Sequence, residues 1–173
     1  SLNGLEGHSS APEKGLNTII FASELINFLN LLYEKERLIQ NKIFNPPYTT
    51  IHIGLIKGGS ALNIIPKECS FIWEYRYLPE HDSNKIINEF NNFANKTVLP
   101  KMKAIYDKSK ITTNQIAHVP PLKSSNNLEI ENVIMKLAKS NTIKTVSYGT
   151  EGGIFQQTGI PTIICGPGSI EQA

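Results

Sequence analysis

The order in which helix-like and strand-like patterns follow one another is the feature that most constrains this chain. Apolar residues recur at helical spacing over residues 16–38. Apolar and polar residues alternate, as in half-buried strands, in three later stretches, 48–56, 68–78 and 111–119. A second amphipathic helix, which Asp82 or Ser83 could cap, separates the last two of them. With a short strand leading into 7–10, this order predicts an α+β, ferredoxin-like βαββαβ unit, in which both helices cover one face of an antiparallel sheet.

A different pattern begins after residue 119, where two consecutive prolines interrupt the chain. Four elements are predicted there: a helix over 128–139 capped by Asn126 or Asn127, a strand at 145–147, a helix at 151–157 and an apolar strand at 161–165. Apolar strands between helices are typical of a sheet buried on both faces, and so few residues cannot close such a sheet alone. We therefore predict a domain at 1–119 and the C-terminal part of a second, α/β domain at 120–173.

Composition and charge exclude several classes of protein. The chain has 17 basic and 15 acidic residues, a net charge of +2 and no basic cluster, which argues against a nucleic-acid or anionic-membrane partner. No apolar run approaches the roughly 20 residues that a membrane helix needs, and no signal peptide is visible. Cys69 and Cys165 each lie in an apolar run and are predicted to be buried free thiols. We expect a soluble, cytoplasmic protein.

Glycine-rich loops in the tail are the first candidates for a ligand site. They lie at 147–153 and 166–168, and loops at the ends of strands often carry binding groups in α/β proteins. Neither loop matches a GxGxxG or P-loop pattern, so phosphate binding has little support. The Gly166-Pro167-Gly168 turn could instead present backbone N–H groups to a carboxylate or an oxyanion. Glu151 could be a helix N-terminal carboxylate or a group that binds an ammonium ion.

Three polar residues outside the tail are also candidates, and each has a structural alternative. His8 lies in a Gly-His-Ser-Ser loop, where a histidine is often only a surface or hydrogen-bonding residue. Asn63 lies between two predicted strands, where its amide could grip a ligand or simply shape a hairpin connection. Arg76 projects from a strand opposite an aromatic face. Its guanidinium could bind a carboxylate with two parallel hydrogen bonds, or it could pair with Glu74.

Metal-ligating and nucleophilic patterns are not evident. None of the four histidines, His8, His52, His81 and His118, has metal-ligand spacing to another, and no HExxH motif occurs. No serine lies in a GxSxG elbow, and neither cysteine has a histidine near it in sequence. We therefore predict that this chain has no metal site of its own and no nucleophilic catalyst.

Three motifs resemble the lid, or dimerisation, domain of the M20 family of zinc amidohydrolases and exopeptidases. They are GHSSAP at 7–12, GGSALNIIP at 58–66 and YRYLP at 75–79, in the order and spacing of that family. The tail is similar to the branch of the family that deacetylates N-acetylornithine. Its matching strings are GTEGGIF at 149–155, GIPT at 159–162 and GPGSIEQA at 166–173. Together these motifs cover nearly the whole chain.

The resemblance implies roles for the candidate residues. It implies two metal ions per site, usually zinc with cobalt as an alternative, and a glutamate general base that acts on an amide. His8 would reach into the site of the partner subunit of a homodimer to stabilise the oxyanion, and Asn63 would contact substrate across the same interface. Arg76 would bind the substrate carboxylate. The other residues implied to line the substrate side are Thr150, Glu151, Gly152, Gly153, Gly166 and Gly168.

The same resemblance implies that the metal ligands lie elsewhere. In the family they come from segments that would precede this chain, and from a histidine that follows the residues matching Gln172 and Ala173. We therefore expect a fragment, with a complete lid domain and part of the catalytic domain, that binds no zinc and is inactive alone.

The implied reaction of the full-length parent is hydrolysis of N-acetyl-L-ornithine to L-ornithine and acetate, in arginine biosynthesis. Two alternatives remain open: an aminoacylase-like or succinyl-diaminopimelate desuccinylase-like member of the same family, and a non-catalytic dimerisation module. A ferredoxin-like ligand sensor is disfavoured, because such a sensor would not need the tail.

Overall fold

The computed structural model describes residues 1–123, 128–139, 145 and 149–166. Its strands are β1 (Leu2–Asn3), β2 (Gly7–His8), β3 (Thr50–Gly58), β4 (Ile64–Ile65), β5 (Glu68–Arg76) and β6 (Lys110–Ile111). Its α-helices are α1 (Thr18–Glu36), α2 (Lys85–Phe93), α3 (Leu99–Ile105), α4 (Leu128–Ala138) and α5 (Gly152–Gln157). None of the helices in these ranges is long and apolar enough to span a bilayer.

Four strands form the main antiparallel sheet, in the order β3-β5-β1-β6. β1 lies between β5 and β6, with Leu2 opposite Cys69 on one side and Ile111 on the other. Helices α1 and α2 share one hydrophobic core with this sheet, in which Leu25, Leu29 and Phe90 are buried. The strand order and the helix layer confirm the predicted ferredoxin-like unit. The predicted boundary at residue 119 stays a prediction.

The N-terminal segment contributes to two sheets rather than to one. The prediction that the strand leading into 7–10 belongs to the main sheet is wrong. Gly7–His8 pairs instead with Ile64–Ile65 in a separate two-stranded ribbon. The main sheet uses Leu2–Asn3, where Leu2 is only 1% exposed. A strand of two residues has no alternation that a sequence pattern could reveal.

Helix α1 begins where Asn17 supplies a cap. Its Oδ1 accepts hydrogen bonds from the N–H groups of Ile19 (3.0 Å) and Ile20 (3.4 Å). The same end is bonded to the segment between β4 and β5, because the Thr18 hydroxyl and N–H both donate to the Pro66 carbonyl. The apolar stripe of the helix is buried: Phe21, Ala22, Leu25, Leu29 and Leu32. The predicted long amphipathic helix is therefore confirmed.

Strand β5 divides the sheet into two faces, as its alternation predicts. Phe71, Trp73 and Tyr75 pack against the helices, whereas Glu74 and Arg76 face the other way. The pairing with β3 runs from Thr50 opposite Arg76 to Gly58 opposite Cys69, with a bulge between Ile53 and Leu55. The bulge contains one extra residue, Gly54, and shifts the alternation of β3 by one position.

The second helical segment is longer than the sequence pattern predicts. Helix α2 continues through a π-helical stretch, Ala94–Val98, into α3. Pro100, in the first turn of α3, has no N–H to donate, and the wider turn before it accommodates that loss. The predicted caps Asp82 and Ser83 are wrong. The helix begins at Lys85, because the Asp82 carboxylate already accepts the Asn84 N–H (2.9 Å) in the preceding turn.

An ion pair joins the end of α1 to the start of α2. Lys85 Nζ lies 2.5 Å from Glu36 Oε1, and the Glu36 side chain is 1% exposed whereas that of Lys85 is 33% exposed. A second pair between the same helices, Lys35 with Glu89, lies at the surface. A carboxylate buried to this degree depends on its partner, since water cannot replace the lost interaction.

Two strand predictions in the C-terminal half are wrong. Of the stretch 111–119, only Ile111 belongs to a strand, and residues 112–119 are exposed without regular structure. The apolar run at 161–165 is also irregular, and Cys165 is exposed rather than buried. Beyond Thr112, which still exchanges backbone hydrogen bonds with Ser1, no strand of the described residues pairs with either segment. Neither segment therefore has a hydrogen-bonding ladder to join there.

The predicted helices of the tail are confirmed as α4 and α5. The caps at Asn126 and Asn127 lie outside the described residues, as does most of the strand predicted at 145–147. Cys69 is buried as predicted, and burial raises the pKa of its thiol. A protonated thiol in a core is chemically inert.

Candidate functional site

The β2–β4 ribbon brings His8 and Asn63 together. His8 lies opposite Ile64 in the pairing, and the next N–H along the chain, that of Ser9, donates to the Asn63 carbonyl at 3.0 Å. Both His8 and Asn63 are exposed. Two predicted site residues that are far apart in sequence are therefore neighbours at one end of the domain, where one ligand could contact both.

The ribbon packs against the rest of the domain through Ile65, whose side chain is buried at 7% exposure. A Cβ added at Gly15 would lie 2.6 Å from Ile65 Cδ1, and one at Gly7 would lie 3.3 Å from the same atom. After β2, the Ala11 N–H donates to the His8 carbonyl at 3.0 Å, and a 3-10 turn follows at Pro12–Lys14. The backbone is thus held on both sides of His8.

The local structure explains why glycine occupies positions 58 and 59, before Asn63. A Cβ at Gly58 would lie 3.0 Å from Cys69 Sγ and 3.1 Å from Ile19 Cγ1, so a side chain there would force these core atoms to shift. Gly59 has φ of +81°, in the left-handed region that glycine adopts most readily. The glycines therefore serve the connection between β3 and β5, while the Asn63 amide remains exposed to solvent.

Ser10 contacts the His8 ring through two atoms. Its Oγ lies 2.7 Å from His8 Nδ1, and its backbone N–H donates to the same nitrogen at 3.2 Å. With Nδ1 accepting from the Ser10 N–H, Nε2 is the ring nitrogen that could donate to a ligand. Ser10 was not among the residues predicted from the sequence, although its position two residues after a loop histidine was the available signal.

Arg76 forms an ion pair with Glu74, the structural alternative predicted for this residue. Its Nε and NH2 groups both donate to Glu74 Oε1, at 3.1 and 3.0 Å. The side chains are 49% and 55% exposed, so the pair contributes at most about 1 kcal/mol. A ligand carboxylate could replace Glu74 at little cost.

Arg76 lies far from the ribbon. It ends β5, whereas the ribbon adjoins the Glu68 end of that strand through Pro66 and Lys67. At about 3.3 Å per residue, the length of β5 separates Arg76 from His8 and Asn63 by more than about 20 Å. One small molecule cannot contact both ends within a single copy of this chain.

Gly152 and Gly153 in the tail lie against other segments of the chain. A Cβ at Gly153 would lie 2.0 Å from the Pro120 carbonyl oxygen, and one at Gly152 would lie 3.3 Å from Leu122 Cδ2. Both glycines are buried at the start of α5. Gln156 strengthens the same contact, since its side-chain amide accepts from the Lys123 N–H (2.9 Å) and donates to the Lys123 carbonyl (3.0 Å). This packing accounts for Gly153 without a ligand, and the substrate contacts predicted for both glycines stay predictions.

The other tail candidates lie at the start of α5 or beyond it. Thr150 Oγ1 accepts the Gly152 N–H at 3.3 Å, and Glu151 is exposed. Gly166 is exposed with nothing near its Cβ position, and Gly168 lies outside the described residues. The substrate contacts predicted for these positions stay predictions.

The described residues do not fit a metal ion. No group of three His, Cys, Asp or Glu side chains comes together in 1–123, 128–139, 145 or 149–166. His81 Nδ1 instead lies 3.1 Å from Thr49 Oγ1, and His118 Nε2 lies 3.1 Å from the Tyr77 hydroxyl. Burial raises the pKa of Tyr77, so this hydroxyl stays protonated at neutral pH and shares a hydrogen bond with His118.

An open apolar groove of about 760 Å³ runs beside the ribbon. Ile19, Ile20, Gly59, Leu62 and Ile105 are among the residues that line it. Leu62 is fully exposed and Ile20 is 57% exposed. Such a surface suits apolar packing rather than a small charged substrate.

Comparison with known proteins finds one matching family model and several similar curated proteins. Residues 1–102 match the family model of the M20 peptidase dimerisation domain. The chain is 31% identical to an acetylornithine deacetylase from Pasteurella multocida and 30% identical to one from Myxococcus xanthus, over 99% of its length. A third, from Photorhabdus laumondii, is 33% identical over 98% of the chain. The chain spans less than half of these relatives, 44%, 44% and 43% of their length.

Solved structures share the fold at lower identity. A tripeptidase from Staphylococcus aureus superposes with a TM-score of 0.55 at 23% identity, covering 92% of this chain and 39% of that protein. An aminobenzoyl-glutamate utilization protein from Klebsiella pneumoniae gives a TM-score of 0.59 at 13% identity, with the same coverage. At these identities the likeness concerns the fold alone.

Proposed function

Because this chain belongs to the M20 peptidase family, we propose that it is part of an amide hydrolase that converts N-acetyl-L-ornithine to L-ornithine and acetate. The observation that carries the proposal is identity of 30% to 33%, over nearly the whole chain, to acetylornithine deacetylases of three bacteria. A place in arginine biosynthesis follows from the same substrate and is part of the proposal.

His8 supplies a hydrogen-bond donor to the reacting carbonyl in this proposal. When water adds to an amide, negative charge develops on the carbonyl oxygen, and a fixed N–H donor lowers the energy of that state. Nε2 of His8 can be such a donor, because Nδ1 is occupied by Ser10. The neighbouring Asn63 amide would orient the acyl group from the same ribbon.

Arg76 binds the α-carboxylate of the amino acid in this proposal. A guanidinium can hold a carboxylate through two parallel hydrogen bonds. In the structure, two N–H groups of Arg76 both donate to one oxygen of Glu74, so they are available to a competing carboxylate. Since Arg76 and His8 lie at opposite ends of the sheet, they would act in two different sites of a dimer. This separation supports the idea that His8 and Asn63 serve the partner's site.

The proposal includes metal ions but assigns none of the described residues to them. Two zinc ions, or cobalt, would supply an activated water, but the described residues contain no cluster that could hold them. We therefore assign His8, Asn63 and Arg76 to binding and charge stabilisation and assign no described residue to a metal.

The surface that fits a second copy of the chain is the outer edge of β3. This strand of nine residues ends the main sheet, and Leu55 and Ile56 on it are 64% and 59% exposed. A long edge strand with exposed apolar residues favours pairing with another strand. The apolar groove continues from the Gly58 end of the strand, so the two surfaces together form our proposed dimer interface.

Replacing Ile56 by lysine is expected to raise the dimer dissociation constant at least about tenfold, because a charge would then lie on the paired edge. Analytical ultracentrifugation measures the constant directly. Ile116→Lys is the matched control, since Ile116 is 78% exposed and follows β6 at the opposite edge of the sheet. Equal effects of the two substitutions, or no effect of Ile56→Lys, would remove β3 from the interface.

The substrate proposal is tested with the full-length gene product. Steady-state kcat/KM is measured for N-acetylornithine, N-acetylmethionine and N-succinyl-diaminopimelate. We expect a preference of at least about tenfold for N-acetylornithine, the order of discrimination that one side-chain pocket provides. A preference for the succinyl substrate would contradict the proposal, and a preference for acetylmethionine would indicate an aminoacylase.

A further inference from the structure

We infer that Ser10 is a positioning residue that holds the His8 ring in the tautomer with its proton on Nε2. The inference rests on the proposed function for its consequence in catalysis, although its structural part can be tested without substrate. Neither the motifs nor the relatives assign a role to Ser10.

The backbone N–H of Ser10 determines which role His8 Nδ1 takes. It points at His8 Nδ1 at 3.2 Å, and an amide N–H can only donate. Nδ1 must therefore present its lone pair. In a neutral imidazole with an accepting Nδ1, the single ring proton is on Nε2.

The Ser10 hydroxyl reinforces this tautomer. Its Oγ lies 2.7 Å from the same nitrogen and can rotate its proton toward it. A carboxylate at this position would act in the opposite way, because it could only accept and would favour a proton on Nδ1. The serine therefore makes His8 a donor at Nε2 rather than a base.

The backbone around Ser10 makes the contact a fixed one. The Ser9 N–H donates to the Asn63 carbonyl and the Ala11 N–H donates to the His8 carbonyl, both at 3.0 Å. These bonds set the distance between the serine and the ring on which it acts. Ser10 itself is exposed, so its hydroxyl contributes little to the packing of the domain.

The test is the side-chain 15N spectrum of His8 in this chain, because the two ring nitrogens differ strongly in shift between tautomers. At a pH where the ring is neutral, we expect the proton on Nε2 in the wild-type chain. Ser10→Ala keeps the backbone N–H but removes the hydroxyl that favours an accepting Nδ1, so it should give a measurable fraction of the Nδ1–H form. Ser10→Thr keeps both groups and should give the wild-type spectrum. A wild-type spectrum with the proton on Nδ1, or an alanine spectrum identical to the wild type, would overturn the inference.

Kinetics of the full-length gene product add a second readout. Ser10→Ala is expected to lower kcat about threefold to tenfold with KM unchanged, the effect of weakening one hydrogen bond in the transition state, and Ser10→Thr should restore it. A rise in KM without a change in kcat would contradict a positioning role. The 15N spectrum stands whatever the substrate proves to be, so failure of the proposed function and failure of this inference can be told apart.

Discussion

Replacing His8 by alanine in the full-length gene product is expected to lower kcat by about 100-fold to 1,000-fold, with little change in KM. Loss of one preorganised donor to an oxyanion has an effect of this size. KM should stay nearly constant because the donor acts on charge that is absent from the bound substrate. Steady-state kinetics with N-acetylornithine measure both constants.

The choice of replacement separates the two ring nitrogens of His8. Glutamine places an amide N–H near the position of Nε2, whereas asparagine places one near Nδ1. If Nε2 is the donor, His8→Gln should keep clearly more activity than His8→Asn, which should resemble His8→Ala. The reverse order would contradict the assignment of Nε2.

A heterodimer determines which subunit His8 serves. His8→Ala and Arg76→Ala subunits are co-expressed with different tags, and the heterodimer is purified. If His8 acts on the partner's site and Arg76 on its own, one of the two sites has both residues intact. The heterodimer should then have about half the wild-type activity, although each parent homodimer has little. An inactive heterodimer would mean that both residues serve the same subunit, against their separation along β5.

The main sheet and its helices could be predicted because their patterns are long. Helix α1 and strand β5 have 19 and nine residues, so apolar periodicity identifies the buried face of each. The ribbon of β2 and β4 could not be found in this way. Each of its strands has two residues, and only the folded chain brings Gly7 opposite Ile65.

The alternation at 111–119 failed for a different reason. Alternating apolar residues predict a strand only where a neighbouring strand and a core receive them, and residues 112–119 are exposed. Ile116, for example, is 78% exposed. Pattern alone cannot supply the neighbour, because strand pairing is a property of the whole sheet.

The candidate site residues could be proposed from the sequence one at a time, because His8, Asn63 and Arg76 each lie in a motif. Their arrangement at opposite ends of the sheet could not be predicted, because it depends on the fold. Gly152 and Gly153 show the converse. Both invite a ligand-binding interpretation, whereas the structure places the Pro120 carbonyl oxygen where a Gly153 side chain would be and the Leu122 and Ile164 side chains beside Gly152.

Replacing Lys85 by methionine is expected to lower the free energy of unfolding by about 3 kcal/mol. Methionine keeps an apolar stem but removes the charge that the described structure pairs with Glu36, whose side chain is 1% exposed. Breaking a buried ion pair from one side leaves an uncompensated charge and costs roughly 3–5 kcal/mol. The lower end of that range applies, because Lys85 is 33% exposed and water can reach the space that it leaves. Urea titration gives the free energy by linear extrapolation.

Two further variants show whether the cost comes from the stranded carboxylate. Lys35→Met removes the partner of Glu89 at the surface of the same two helices, with side chains 57% and 33% exposed, and should cost less than about 1 kcal/mol. In the double variant Glu36→Met with Lys85→Met, no charge remains buried, and stability should return close to that of the wild type. If Lys85→Met costs no more than Lys35→Met, Glu36 reaches water. If the double variant is as unstable as Lys85→Met, the loss comes from packing at the junction of α1 and α2, and the buried charge is not its cause.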